Sequence, residues 1–312
     1  MENTKNNAIG QPVMDIEKEK KNDKIGKIVK NVLVYFFLTI AAALAFLPFY
    51  WMIISSLKLE SEFRQSVPTF FPRYFSWKNY GYVLSQGANG LFGQMLLNTV
   101  VIGIFSTIIG VIITILTAYA FAKIEFKGKN ILFALMLATM MIPGELYTIT
   151  NYVTVAKLGW SDTYVALIVP FLVSTYYIYL LRNSFKQIPD SLYKAAKVDG
   201  VSEMGYLVKV MVPLTAPTLI SITLLKFIGT WNSYIWPRLV NKHDEWRLIS
   251  NWMTSSFVDN AGIIDPTGLR YSDSMYTLKM AAAFMVSLPL FILFISFRKY
   301  IMHGVSRSGT KG

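Results

Sequence analysis

Cysteine is absent from the 312 residues, which excludes disulfides, thiolate metal sites and thiol catalysis. Histidine occurs only twice, at His243 and His303. On the topology argued below the two fall on opposite sides of a membrane, so they cannot share a metal within one molecule. Charge is sparse at 15% of residues, and acids are the scarcer sign, 18 against 30 Lys and Arg. No G-x-x-x-x-G-K-[ST] phosphate loop occurs, and the polar segments are too short for a nucleotide-binding domain. ATP hydrolysis by this chain is therefore not expected, and no cofactor or metal is implied. An internal repeat and paired intramembrane carboxylates are also missing, which disfavours an ion-driven secondary transporter.

What is abundant is apolar surface. Hydrophobic residues make up 54% of the chain, and the mean hydropathy is +0.42. An all-α integral membrane protein is expected. A spanning helix needs ~20 largely apolar residues, and six windows qualify: Val32–Ile54, Thr99–Ala122, Ile131–Ile149, Tyr164–Leu181, Leu214–Ile235 and Met280–Phe297. Six spans put both termini on one side. That side carries 19 Lys and Arg and the other nine, with Lys226 and Lys279 within or at the edge of spans. By the positive-inside rule the termini are cytoplasmic. The net charge of +12 then needs no nucleic-acid partner. Residues 1–30 mix Lys with Glu and read as a disordered cytoplasmic tail, with the membrane domain over 31–312. The first span is too long and begins too late for a cleavable signal.

Within the spans, Ser106, Gly110, Thr114, Ala118 and Ala122 form a four-residue-spaced ridge of small side chains that permits close packing. Pro143 and Gly144 in "MMIPGELYTIT" should break the third span, and a broken helix must border protein or water. Tyr176, Tyr177 and Tyr179 either pack or meet sugar rings. Lys226 sits mid-span in "LLKFIGTWNSYIWP", where an unpaired ammonium costs at least ~2.5 kcal/mol. It is a candidate for the substrate pathway, with Trp231, Asn232 and Ser233 beside it. A partner subunit's acid or a water-filled cavity would explain Lys226 equally well. "PTFFPRYFSWKNY" reads as an ordered external loop.

Residues 184–212 form a polar module between two apolar runs. In "PDSLYKAAKVDG", Leu192, Ala195, Ala196 and Asp199 share a helical face. Gly200 can take positive φ to end the helix, Asp199 can hydrogen-bond the turn, and Ser202 with Glu203 can start the next helix. That second helix presents Tyr206, Leu207, Val210 and Met211. An ordinary interfacial helix would explain the apolar positions but not Ala-Ala-x-x-Asp-Gly.

"KAAKVDG" followed by "VMVPLTAP" resembles the EAA loop of ABC importer permeases, E-A-A-x-x-x-G with a later proline. The sugar-importer (MalG-type) branch is the nearest, with echoes in "PFYWMIISSLK", "MIPGELYTITNYVTVAKLGW" and "FIGTWNSYIWP". The resemblance implies a type I (MetI-like) six-helix permease in the bacterial inner membrane with a cytoplasmic coupling helix. It also implies an assembly with four partner chains: a second homologous permease, two ATP-binding subunits and an external solute-binding protein. The implied coupling residues are Leu192, Lys194, Ala195, Ala196, Asp199 and Gly200. Lys194 departs from the pattern, since the family has glutamate there. The substrate implied is a carbohydrate or related polar solute. A membrane-embedded transferase is the alternative; Glu145 and Asp162 are its only external acids of note, and they lack a catalytic spacing.

Overall fold

The computed structural model describes residues 13–255 and 275–306, which are helical with no strand among them. In chain order the principal helices are α1 (Val13–Ser56), α2 (Phe92–Ala122), α3 (Lys129–Ala138), α4 (Leu146–Lys157), α5 (Tyr164–Ile168), α6 (Thr175–Lys186), α7 (Asp190–Val198), α8 (Glu203–Tyr206), α9 (Ala216–Trp231), α10 (Ile235–Val240) and α11 (Tyr276–Ser306). Among these, α1, α2 and α11 each hold a stretch long and apolar enough to cross a bilayer.

Three bent helix pairs are candidates for the remaining spans, the membrane arm of the third being α9. The α3 segment, extended by one 3₁₀ turn to Met141, meets α4 at 103°; the α5 segment, extended to Phe171, meets α6 at 46°; Glu203–Leu214 meets α9 at 83°. The break after Met141 falls at the expected Pro143 and Gly144. The break between Phe171 and Thr175 is a correction, since Tyr164–Leu181 reads as one continuous helix in the sequence. Pro170 lies in the 3₁₀ turn Val169–Phe171. Its missing N–H and its ring oppose a continuous α-helical ladder there. Likewise Leu214–Ile235 is not one helix: α9 ends at Trp231 and α10 restarts at Ile235.

The tail is a second correction. Residues 13–30 are helical, continuous with the first span, while residues 1–12 lie outside the described residues. Once the apolar span has nucleated a helix, each added residue costs little.

The chain divides into two units at Ile54/Ser55. The first is helical from Val13, and its apolar side chains over residues 28–49 are exposed, Phe37 by 71% and Leu44 by 67%. Bilayer hydrocarbon, not water, suits that surface. The second unit is organised around α2. Ser106, Gly110, Thr114 and Ala118 are buried, and α2 packs against α6 and α9 along its length. The small-residue ridge thus does what its spacing predicts: Gly103 meets the Phe227 ring and Gly110 meets Lys226.

The loop containing residues 68–80 is ordered by acids that look solvated in the sequence. The buried Glu62 carboxylate accepts Thr69 Oγ1 at 2.7 Å and the Arg73 N–H at 3.1 Å. Buried Glu60 accepts both the N–H and the hydroxyl of Thr277 at 2.9 Å. Asn79 donates to the Ser56 and Lys58 carbonyls at 2.8 and 2.9 Å. Lys58 donates to the Thr69 carbonyl.

Candidate functional site: a broken-span cavity and a helical loop

Two features combine polar chemistry with unusual backbone. The first is a cavity of about 320 Å³ at the breaks in the fourth and fifth spans, lined by Ser106, Phe171, Ser174, Tyr177, Lys226, Thr230, Ser233 and Trp236 among others. Irregular backbone at membrane depth is tolerated where it is enclosed by protein or borders such a cavity. Lys226 is buried, only 6% exposed. Its Nζ donates to the Phe171 carbonyl at 2.8 Å and approaches the Leu172 carbonyl at 3.5 Å. Both carbonyls lie where the α5 segment unwinds, so they lack the intrahelical partners that a continued helix would supply. A β-carbon on Gly110 would overlap Lys226 Cε and stand 2.6 Å from Nζ, so the ammonium reaches the carbonyls only because position 110 has no side chain.

The pathway residues expected from the sequence divide. Lys226 and Ser233 line the cavity. Trp231 does not: it is 2% exposed and packs against the Phe227 ring at 5.7 Å. Asn232 caps α9, its N–H on the Ile228 carbonyl at 3.0 Å, with its side chain exposed. A helix turns 100° per residue, so neighbours in sequence point apart. Of the three tyrosines only Tyr177 lines the cavity; Tyr176 and Tyr179 are exposed. Trp236, missed in the sequence, donates its indole N–H to the Ala166 carbonyl at 2.8 Å and fixes the wall.

The second feature is the loop between α6 and α9. Its turn is a Schellman closure: Val201 N–H bonds the Ala196 carbonyl at 2.9 Å and Gly200 N–H the Lys197 carbonyl at 3.1 Å, with Gly200 at φ +73°. Ser202 caps α8 by accepting the Gly205 N–H at 3.1 Å. Tyr206, Leu207 and Met211 are buried as expected. They join a core with Tyr119 of α2 and Phe185 of α6, and Val210 packs against it.

Two sequence expectations on this loop need correction. Ala196 does not share the open face with Leu192 and Ala195; it packs inward beside Tyr193, leaving Leu192, Lys194, Ala195 and Asp199 exposed and Val198 88% exposed. The Asp199 side chain is exposed and makes no hydrogen bond to the turn. Backbone bonds and the glycine close it.

Glu203, read only as a helix start, is the polar centre of the loop. It accepts Tyr193 OH at 2.6 Å, pairs with Lys197 Nζ at 2.5 Å and accepts the Tyr119 hydroxyl from α2. The Lys197 ammonium first, then the two phenols, hold its carboxyl down at about 2. At the other end Asp190 pairs with Lys123 at 2.6 Å, and that ammonium holds the Asp190 carboxyl below its usual value. Lys123 also reaches the Ile188 carbonyl at 3.2 Å. A short helix with an open apolar and cationic face is thereby anchored at both ends to the membrane helices.

Asp162 and Glu145 do not make a reactive pair. Asp162 accepts the Lys242 and His243 N–H groups at 2.6 and 3.1 Å and meets His243 Nδ1 at 3.0 Å, which orders the 242–243 turn. Glu145 is exposed at the start of α4. The His303 side chain lies outside the described residues.

Apolar spanning helices, spans broken around a cavity that holds a buried lysine and a helical loop held on an anchored turn fit a multi-pass transport permease of the ABC importer class. The chain belongs to the family described as the binding-protein-dependent transport system inner membrane component, whose model matches residues 110–307. It is 30% identical over 273 residues to the arabinooligosaccharides transport system permease protein AraQ of Halalkalibacterium halodurans, covering 87% of this chain and 93% of that one. It is 26% identical over 278 residues to the sn-glycerol-3-phosphate transport system permease protein UgpE of Yersinia pestis, covering 88% and 95%. Among solved structures it is similar to a bacterial ABC transporter involved in the import of the acidic polysaccharide alginate, with TM-score 0.76, 27% identity and coverage of 90% and 98%.

Proposed function

We propose that this chain forms half of the translocation pathway of an ATP-driven importer for a carbohydrate, and that α7 is the element through which a separate ATPase drives it. The observation that carries the reading is the anchored loop. Its outward residues Leu192, Lys194, Ala195 and Val198 are bare, while its inward residues, Tyr193 and Ala196, are tied to the core of α2, α6 and α9. A push on that face reaches the spans that line the cavity. Leu192, Lys194, Ala195, Ala196, Asp199 and Gly200 make up the coupling segment, with Ala196 acting from the inner side and Gly200 through the turn.

On this reading the loop and both termini face the cytoplasm, as the distribution of Lys and Arg favours. The partners are two ATP-binding subunits, which hydrolyse ATP in place of this chain, a second homologous permease and an external solute-binding protein. Closure of the ATPase pair on ATP carries the loop with it and turns the pathway outward. The carbohydrate substrate is supported by the hydroxyl and aromatic groups in the cavity lining and by the arabinooligosaccharide relative; the glycerol phosphate relative marks another solute class. Co-purification tests the assembly: affinity capture of this chain should bring down a second permease and an ATPase, and solute-loaded binding protein should stimulate ATP hydrolysis. Capture of this chain alone, with no ATPase activity, contradicts it.

A further inference from the structure

The cavity holds a cation without an acid. Lys226 is buried and lines the cavity, yet its hydrogen-bond partners among the described residues are neutral carbonyls, Phe171 and Leu172. No Asp or Glu lines the cavity. Two carbonyl dipoles satisfy donors but supply no counter-charge, and buried charges are ordinarily paired. The remaining lining sets hydroxyls at Ser106, Ser174, Thr230 and Ser233 and aromatic walls at Tyr177 and Trp236 among aliphatic side chains such as Leu167 and Leu248. Its volume of about 320 Å³ lies at the small end of the ~300–1,000 Å³ usual for ligand sites, which fits a short sugar segment and not a polymer.

The geometry points to a site for an acidic sugar: a uronate-type unit whose carboxylate completes the ion pair with Lys226 while its ring and hydroxyls meet the aromatic and hydroxyl walls. A carboxylate arriving at Nζ makes a charge-assisted hydrogen bond of the stronger kind, and a neutral sugar leaves the charge as unpaired as before. The inference rests on the carbohydrate reading and narrows it to anionic carbohydrates. The carbonyls hold Nζ in place in the empty site, so the lysine is positioned before ligand arrives and little ordering is lost on binding. The same cation would retard a positively charged solute, giving a filter by charge at the broken spans.

The test is calorimetric titration of the purified complex of this chain with its co-purified subunits, free of solute-binding protein, using digalacturonate and its neutral counterpart galactobiose. The wild-type complex should bind digalacturonate at least about tenfold more tightly than galactobiose, Lys226→Gln should bring the ratio of the two affinities to about one, and Lys226→Arg should retain a preference altered at least about threefold. Lys226→Arg keeps the charge and serves if Lys226→Gln fails to assemble; an unaltered preference in it overturns the assignment to Lys226. Equal affinity of the wild type for both probes, or a preference that survives Lys226→Gln, also overturns the inference and leaves the carbohydrate reading standing. Binding of neither probe at millimolar concentration overturns both.

Discussion

Lys226 of α9 fills the space that a side chain at Gly110 of α2 would occupy, with Nζ 2.6 Å from where the β-carbon would stand and the Leu172 carbonyl 2.9 Å from it. The substitution Gly110→Ala therefore drives either the lysine off its carbonyls or α2 away from α9. Overpacking of this kind costs ~1–3 kcal/mol. Gly229→Ala is the control, because a β-carbon there meets nothing within 4 Å. Thermal unfolding of the detergent-solubilised complex should show a clear loss for Gly110→Ala and none for Gly229→Ala; equal transitions would contradict the close approach.

Gly200 presents a different case, since a β-carbon there also meets nothing within 4 Å but φ is +73°. The cost of Gly200→Val is backbone strain, ~1–2 kcal/mol for an L-residue in the left-handed region. Gly200→Asn should cost less, because asparagine tolerates that region. Amide exchange across 195–201 should speed up in the valine variant, and stimulated ATPase activity should uncouple from uptake. Unchanged exchange would show that the Schellman closure does not depend on the glycine.

The Glu203 cluster sets a pH dependence. Its carboxyl is held at about 2 against an ordinary value of 4.5, so it is a depressed acid. The stabilisation it gives the loop is fully present above the ordinary value and lost as pH falls through it toward about 2. Protection of the Asp190–Gly205 amides, corrected for intrinsic exchange, should be flat from neutral pH to about 4.5 and decline below. In Glu203→Gln the protection should be lower throughout and the decline should shrink to what the Asp190–Lys123 pair contributes. A wild-type profile that stays flat down to pH 3 would rule out the charge on Glu203 as the fastener.

Lys194 is exposed and makes no ion pair among the described residues, so Lys194→Glu should leave the thermal transition of the chain unaltered. Assembly is another matter. An exposed pair is worth ~0.2–1 kcal/mol and truncation of a desolvated one costs ~2–5 kcal/mol. If the ATPase groove carries an acid opposite Lys194, charge reversal should weaken capture of the ATPase strongly, and reversing that acid should restore it. Capture and transport equal to wild type would make the position neutral to coupling.

The sequence and the structure part company where long-range contacts decide. Gly200, Ser202 and the Pro143 break were legible because glycine, a capping serine and proline impose their geometry locally. The break after Phe171 was not, because hydropathy averaged over a span is blind to one turn of lost helix, and the proline that marks it sits in an otherwise continuous apolar run. Glu60 and Glu203 look like solvated charges; their burial or pairing comes from Thr277, Tyr119, Tyr193 and Lys197, which no local pattern links to them. Lys226 announces itself by desolvation cost alone, but its sequence neighbours are not its spatial ones. Trp231 and Asn232 are its neighbours in sequence, whereas Gly110 and the carbonyls of Phe171 and Leu172 are its neighbours in space. Ala196 shows the same limit on a short helix: spacing puts it with Leu192 and Ala195, and packing against the α2, α6 and α9 core turns it inward.

The central claim is that α7 transmits the work of an ATPase. With no native cysteine in the chain, Val198→Cys places one thiol on the most open apolar position of that loop. Cross-linking of the assembled complex in membranes should join residue 198 to the ATP-binding subunit, with a yield that changes when ATP is trapped, and the thiol should be silent to impermeant reagent outside intact cells. Labelling from outside, or a cross-link to no ATPase under any nucleotide condition, would contradict the account.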